Sequence, residues 1–131
     1  MYNKVIVFEG IDGSGKTYHL NAASNYLKKK KINHIRLREP GGSKNSEKLR
    51  KLLLSNKSKY EKKTDLLLYL AARNENIEKI IKKNYKKKII LIDRFIDSTI
   101  AYQHYGMGIN LKFIKIINNF LLTNIKINFT F

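Results

Sequence analysis

Between the apolar run "VIVFE" and the helix-patterned "KTYHLNAASNYLKKK" stand the residues "GIDGSGKT", which hold three of the chain's seven glycines. Nothing else in the sequence limits the fold as tightly. Gly10, Gly13 and Gly15 let the backbone turn sharply with its N–H groups pointing inward. The spacing Gly10-x-x-x-x-Gly15-Lys16-Thr17 is that of a phosphate-binding P-loop. Such a loop needs a strand before it and a helix after it. Val5 to Glu9 supplies the strand. From Lys16 to about Lys30, Leu20, Ala23 and Leu27 recur at helical spacing, and lysines close the stretch, where cations suit the negative end of a helix. The loop therefore predicts a bound nucleoside triphosphate, with Gly10, Ile11, Asp12, Gly13, Ser14, Gly15, Lys16 and Thr17 around its phosphates. Lys16 is expected on the β- and γ-phosphates and the Thr17 hydroxyl on Mg²⁺.

The rest of the chain alternates strands with helices. "INHIRLRE" alternates as a second strand and stops at Pro40 and Gly41-Gly42. Ser46 is expected to cap a helix over "EKLRKLLLS", and Thr64 a longer one from Asp65 to about Asn84. "KKIILID" is wholly apolar up to its acid, like a strand buried in a parallel sheet. Helical stretches near Thr99–Tyr105 and Leu111–Leu122 follow, and "KINFTF" closes the chain as a fourth, core strand. The pattern predicts an α/β, three-layer P-loop NTPase fold with a parallel sheet, in one domain over residues 1–131. Asp93 ends the third strand, where its carboxylate would reach Mg²⁺ or its waters.

Composition narrows the setting. The chain has no cysteine, which excludes disulfides and thiolate metal sites and suits a reducing cytoplasm. Its longest apolar runs, such as "KIILI", fall far short of the roughly 18–20 residues that cross a bilayer. No basic-then-apolar leader precedes the first strand, so no secretory signal is expected; with apolar runs this short, no membrane partner is expected either. The net charge of +17 comes from lysine runs such as "LKKKK", "KSKYEKK" and "KKNYKKK", which read as solvated surface rather than a dedicated nucleic-acid patch. Against twenty-two lysines stand five arginines. Positions that keep arginine are therefore candidates for its planar, two-pronged grip on phosphates and base edges.

Four motifs in order, "FEGIDGSGKT", "REPGGS", "DLLLYLAAR" and "DRFIDSTIAYQ", resemble those of the thymidylate kinases, which move the γ-phosphate of ATP onto dTMP. The resemblance runs from about Val5 to Phe131. It implies that Arg38 and Arg94 surround the acceptor's phosphate, that Arg50 belongs to the same pocket, and that Tyr69 stacks on thymine while Arg73 bonds its O4. Thr99 and Gln103 would line the base edge, and Tyr102 would crowd the sugar's 2′ position. Asp12 would sit by the 3′-hydroxyl, with Glu9 a further acid; Lys16, Arg94, Asp12 and Glu9 form the implied catalytic set. The residues themselves leave plainer readings open: Tyr69 and Tyr102 as core aromatics, Thr99 as a helix cap, Arg50 as a surface residue. Other nucleoside monophosphate kinases, or a noncatalytic P-loop protein binding nucleotides or nucleic acid, are the alternatives.

The resemblance also implies a homodimer, and a chain incomplete at its C-terminal end, without the lid and fifth strand. Some relatives carry a catalytic arginine just after the P-loop acid, where this chain has Gly13, and others carry it on the lid. By that comparison the 131-residue chain is expected to be a slow kinase, since such an arginine can contribute about 10³–10⁵ in turnover.

Overall fold

A computed structural model describes residues 4–55 and 59–131. Part of the lysine run "KSKYEKK", including Lys57 and Ser58, lies outside the described residues. In chain order the elements are β1 (Val5–Phe8), α1 (Lys16–Lys29), β2 (His34–Arg38), α2 (Lys44–Leu53), α3 (Lys62–Asn76), β3 (Ile89–Asp93), α4 (Ile96–Thr99), α5 (Leu111–Leu121) and β4 (Phe129–Thr130). A π-helical stretch, Ile77–Ile81, and a last turn, Lys82–Asn84, prolong α3; a second π-helical stretch, Ile100–Gly106, prolongs α4.

All strand pairs are parallel, in the order β2-β3-β1-β4. Both faces of the central strands β1 and β3 are covered, which is why these two are almost wholly apolar, whereas β2 (HIRLR) alternates and leaves Arg36 and Arg38 exposed. Side chains alternate across it: Val5, Val7, Ile90 and Ile92 pack with Leu37, Phe95, Ile77 and Ile81, while Phe8, Ile89 and Leu91 pack with Leu20 and Leu27 of α1. A third cluster, Leu66, Leu70 and Ile114, ties α3 to α5. Each fully buried side chain of this kind stabilises the fold by roughly 1.5–3 kcal/mol.

Register sets up the site. Phe8 lies beside Asp93, and Asp93 beside Arg38, so the three strands end level. From there β1 leads across β3 to β2, whereas β3 leads across β1 to β4. Chains leaving neighbouring strands in opposite directions open a crevice at the carboxyl end of the sheet, where α/β folds bind ligands.

Three boundaries differ from the sequence expectation. Ser43, not Ser46, caps α2: its hydroxyl accepts from the Ser46 amide at 3.2 Å. Ser46 is fully buried instead, donating its hydroxyl to the Ala72 carbonyl of α3. Two serines three apart offer the same local signal, and packing against α3 decides between them. Helix α3 starts at Lys62 after Glu61, with Thr64 exposed in its first turn, because nothing about Lys62 or Lys63 opposes helix. Finally, "KINFTF" is paired over two residues only, and Phe129 and Thr130 are exposed. It is an edge strand of the described sheet, not a core strand.

Candidate active site

The glycine loop runs from β1 directly into α1. Gly15 stands at the N-cap of α1 with φ 84°, a left-handed conformation that glycine adopts without strain, and no side chain caps the helix. No acid lies in the first turn. The first amides of α1 thus point at open space beside Lys16, as a phosphate requires. At Gly10 a Cβ would stand 2.6 Å from the Ser14 hydroxyl, so a side chain there would push into the loop itself.

Lys16 donates to Asp93 at 2.5 Å, bridging the start of α1 and the end of β3. The lysine side chain is 9% exposed and the carboxylate 26% exposed, so the pair is largely withdrawn from solvent. Thr17 is exposed beside them. No group of three His, Cys, Asp or Glu side chains capable of holding a metal occurs among the described residues. A divalent cation here would rest on the Asp93 carboxylate, the Thr17 hydroxyl and phosphate oxygens, the hard donor set that Mg²⁺ accepts.

Next to the loop, α3 and α4 enclose a small cavity lined by Glu39, Pro40, Tyr69, Arg73, Arg94, Phe95, Ser98, Thr99, Tyr102 and Gln103. Six of the expected acceptor residues, Tyr69, Arg73, Arg94, Thr99, Tyr102 and Gln103, therefore meet in one place. Arg73 is its keystone. Its Nε donates to Glu39 at 2.7 Å, Nη1 to the Asn118 side-chain carbonyl at 2.6 Å, and Nη2 to Thr99 Oγ1 at 2.8 Å and the Phe95 carbonyl at 3.0 Å. The guanidinium also lies 4.8 Å from the Phe95 ring centre. Arginine carries five N–H groups, so one, on Nη1, is left for a ligand. Gln103 donates its Nε2 to Asp65 at 2.7 Å, while its buried Oε1 has no partner. Tyr69 is half-buried, and burial pushes its phenol above the ordinary value, keeping the ring neutral. Tyr102, read in the sequence as either pocket or core, is 48% exposed at the cavity mouth.

Arg94 turns the corner between β3 and α4. Its φ of 65° is left-handed, and its Nη2 donates to the Asp12 carboxylate at 2.7 Å. Its guanidinium lies 5.8 Å from the Tyr102 ring centre. The arginine thereby links the phosphate loop to the cavity. Glu9 is engaged differently from the other acids: its carboxylate accepts from the amides of Phe95 (2.7 Å) and Ser98 (3.3 Å) and from the Ser98 hydroxyl (2.5 Å). It holds the start of α4 against the end of β1, a positioning role.

Arg38 and Arg50 gather outside the cavity lining, around Gly41-Gly42. Arg38 donates to Glu47 at 3.2 Å, and Arg50 to the Pro40 carbonyl at 2.6 Å. Glu47 also accepts the Gly42 amide at 2.8 Å. That amide first, and Arg38 after it, hold the Glu47 carboxyl below its ordinary value of 4.5. A lowered folded pKa means the clamp's stabilisation is present above pH 4.5 and fades as pH falls through the lower folded value. The gap in urea midpoint between wild type and Glu47→Gln is expected to close as a titration goes from pH 6 to pH 3.

Sequence reasoning passed over three buried residues. Glu39 holds Arg73; Asn76 donates to the Gly41 carbonyl at 2.5 Å and accepts the Ser43 amide at 2.9 Å; Asn118 accepts from Arg73. The signal was present for Asn118, a polar residue on the same face of α5 as Ile114 and Leu121, both packed inward. A polar side chain in an apolar stripe implies a buried partner.

The profile of the thymidylate kinase family matches residues 8–131. The chain is 45% identical to the thymidylate kinase of Thermosipho africanus over 92% of its own length and 60% of that protein's. It is 44% identical to that of a Sulfurihydrogenibium species, over 96% of its length and 63% of the relative's. It thus spans about three fifths of the length of these relatives. The crystal structure of thymidylate kinase from Ehrlichia chaffeensis superimposes with a TM-score of 0.85 at 42% identity, covering 92% of this chain and 67% of that one. A match over nearly the whole chain, in sequence and in fold, leaves no ambiguity about kinship: the chain belongs to the thymidylate kinase family.

Proposed function

We propose that the chain carries the nucleotide sites of a dTMP kinase, with ATP on the glycine loop and dTMP in the cavity between α3 and α4. The observation that carries this reading is that one cavity is lined by Arg73, with one Nη1 hydrogen unused, and by Gln103, whose buried Oε1 has no partner. Thymine offers an acceptor at O4 beside a donor at N3, which complements them. Cytosine offers the reverse pattern, a donor at N4 and an acceptor at N3, and would leave both groups unpaired at a cost of about 1–3 kcal/mol each. The half-buried Tyr69 ring lies one helical turn from Arg73, where it can stack on the base.

In this reading Arg94, Arg38 and Arg50 take the acceptor's phosphate, and Lys16 shifts from Asp93 toward the β- and γ-phosphates. The acceptor phosphate is already anionic near neutral pH, so positioning and charge neutralisation, not a general base, are what the protein supplies. Mg²⁺ held by Thr17 and Asp93 would neutralise charge on the donor phosphates. Asp12 orients Arg94, and Glu9 fixes the start of α4. We read residues 1–131 as one kinase domain and its setting as cytoplasmic. Exposed Leu67, Phe113 and Ile116 near the cleft between α3 and α5 supply an apolar face for pairing as a homodimer.

The test is to incubate the chain with Mg²⁺-ATP and dTMP, dUMP, dCMP or GMP in parallel and separate the nucleotides chromatographically. dTDP is expected to form fastest of the four diphosphates. Faster transfer to dCMP or GMP, or ATP hydrolysis without any nucleoside diphosphate, would overturn it.

A further inference from the structure

The lysine runs look scattered along the sequence, but the parallel topology gathers them. Every helix-to-strand connection of such a sheet lies at the strands' amino ends, the pole opposite the nucleotide site. Three connections meet there: α1 to β2, α3 to β3, and α5 to β4. They carry the runs 28–31 and 86–88, with Lys82, Lys83 and Lys126 close by; Lys4 enters β1 beside them. Hydrogen bonds lock the connections together: the Ile90 amide donates to the Lys4 carbonyl, Ile89 to Asn33, and the Lys126 amide to the Tyr85 hydroxyl. Eleven lysines share this pole. The nearest acid on these segments, Glu78, is paired with Lys82 at 2.5 Å.

Helix C-termini favour a lysine or two, yet eleven on one pole repel one another and weaken the folded state unless something anionic lies against them. None of the five arginines falls on these connecting segments; four stand at the opposite end of the sheet. Lysine without arginine neutralises phosphates but does not read base edges in the paired fashion of a guanidinium. The pole also has shape and aromatic surface. Lys82, Lys83, Tyr85, Lys86 and Lys87 line a cleft of about 570 Å³. Tyr26 is 60% exposed with the Lys30 ammonium 5.9 Å from its ring centre. Lysines interleaved with exposed tyrosine form the surface on which a single strand tracks its phosphates and stacks its bases. No exposed aliphatic side chain on these connecting segments offers an anchor for a lipid surface.

We propose that this basic pole binds single-stranded nucleic acid without sequence preference, independently of the nucleotide site. The test uses a fluorescently labelled 20-nucleotide oligo(dA) and anisotropy over 50–300 mM salt. One variant changes Lys82, Lys83, Lys86 and Lys87 to Gln; a control removes the same charge elsewhere by changing Lys44, Lys48, Lys51 and Lys59 to Gln. At 150 mM salt the pole variant is expected to bind at least ten-fold more weakly than wild type, and the control less than three-fold. The log–log salt slope of the pole variant should be shallower by about 3, from roughly 0.7 per lost phosphate contact. Equal loss in both variants would reduce the effect to net charge and overturn the proposal. So would the absence of binding at 150 mM salt, or binding to phosphatidylserine vesicles without binding to the oligonucleotide.

Discussion

Arg94→Gly is expected to keep its fold and lose its acceptor. A left-handed φ of 65° costs a non-glycine residue about 1–2 kcal/mol. Glycine removes that strain, while its freer unfolded chain returns about 0.4–1 kcal/mol of the gain. The ion pair given up is modest, because the Asp12 carboxylate is 99% exposed and such pairs contribute little. The sum is a stability within about 1 kcal/mol of wild type. Strain kept at one arginine, between phosphate loop and cavity, points to a use for that side chain. If the use is to clamp transferring phosphate, removing it should lower phosphoryl transfer by about 10³-fold or more. Urea unfolding and the chromatographic assay read the two effects separately. A destabilisation above about 3 kcal/mol with transfer intact would assign Arg94 a structural role instead.

Arg73→Ala is expected to give the largest loss of stability in the molecule. It strands the Glu39 carboxylate, whose residue is 6% exposed, and orphans the Asn118 and Thr99 acceptors. Removing one member of a buried ion pair costs about 3–5 kcal/mol, against a total stability of about 5–15 kcal/mol for domains in general. Burial pushes the Glu39 carboxyl above its ordinary 4.5, with Arg73 the chief opposing influence. Without the arginine the folded state favours the neutral acid still more. The destabilisation of Arg73→Ala should therefore be smallest below pH 4.5 and grow as pH rises through the raised folded value. Urea midpoints at pH 4 and pH 8 check this. Because the single variant is so damaged, the double change Arg73→Met with Glu39→Leu separates packing from recognition. Replacing a buried pair by apolar residues of similar size is often neutral, so the double variant should regain most of the stability lost in Arg73→Ala, short of what the orphaned Asn118 and Thr99 acceptors cost, and still bind dTMP at least ten-fold more weakly. Recovery of both stability and dTMP binding would remove Arg73 from the acceptor site.

The legible parts of the molecule are the local ones. Glycine spacing between a strand and a helix, and the apolar "IILID", each depend on neighbours a few residues away, so loop, helix α1 and strand β3 follow from pattern alone. The surplus of lysine over arginine likewise singled out five arginines, and the fold brings four of them, all but Arg36, to the carboxyl end of the sheet. What stayed hidden depends on distant segments. Ser43 rather than Ser46 caps α2 because Ala72, twenty-six residues from Ser46, accepts the buried hydroxyl. Arg73 is held by Glu39 from the end of β2 and by Asn118 from α5, forty-five residues away. The π-helical stretches after α3 and α4 carry no local mark in composition. Lysines that seemed dispersed share one pole because sheet order, which no window of sequence contains, puts three connections together.

The most direct measurement is a calorimetric titration of the 131-residue chain with dTMP, with dCMP and GMP as controls. dTMP is expected to bind saturably at one site per chain, dCMP at least ten-fold more weakly, and Arg94→Gly is expected to lose dTMP binding. Equal affinities for dTMP and dCMP, or no dTMP binding by a chain whose cooperative unfolding shows it to be folded, would contradict a thymine-reading pocket built on Arg73 and Gln103.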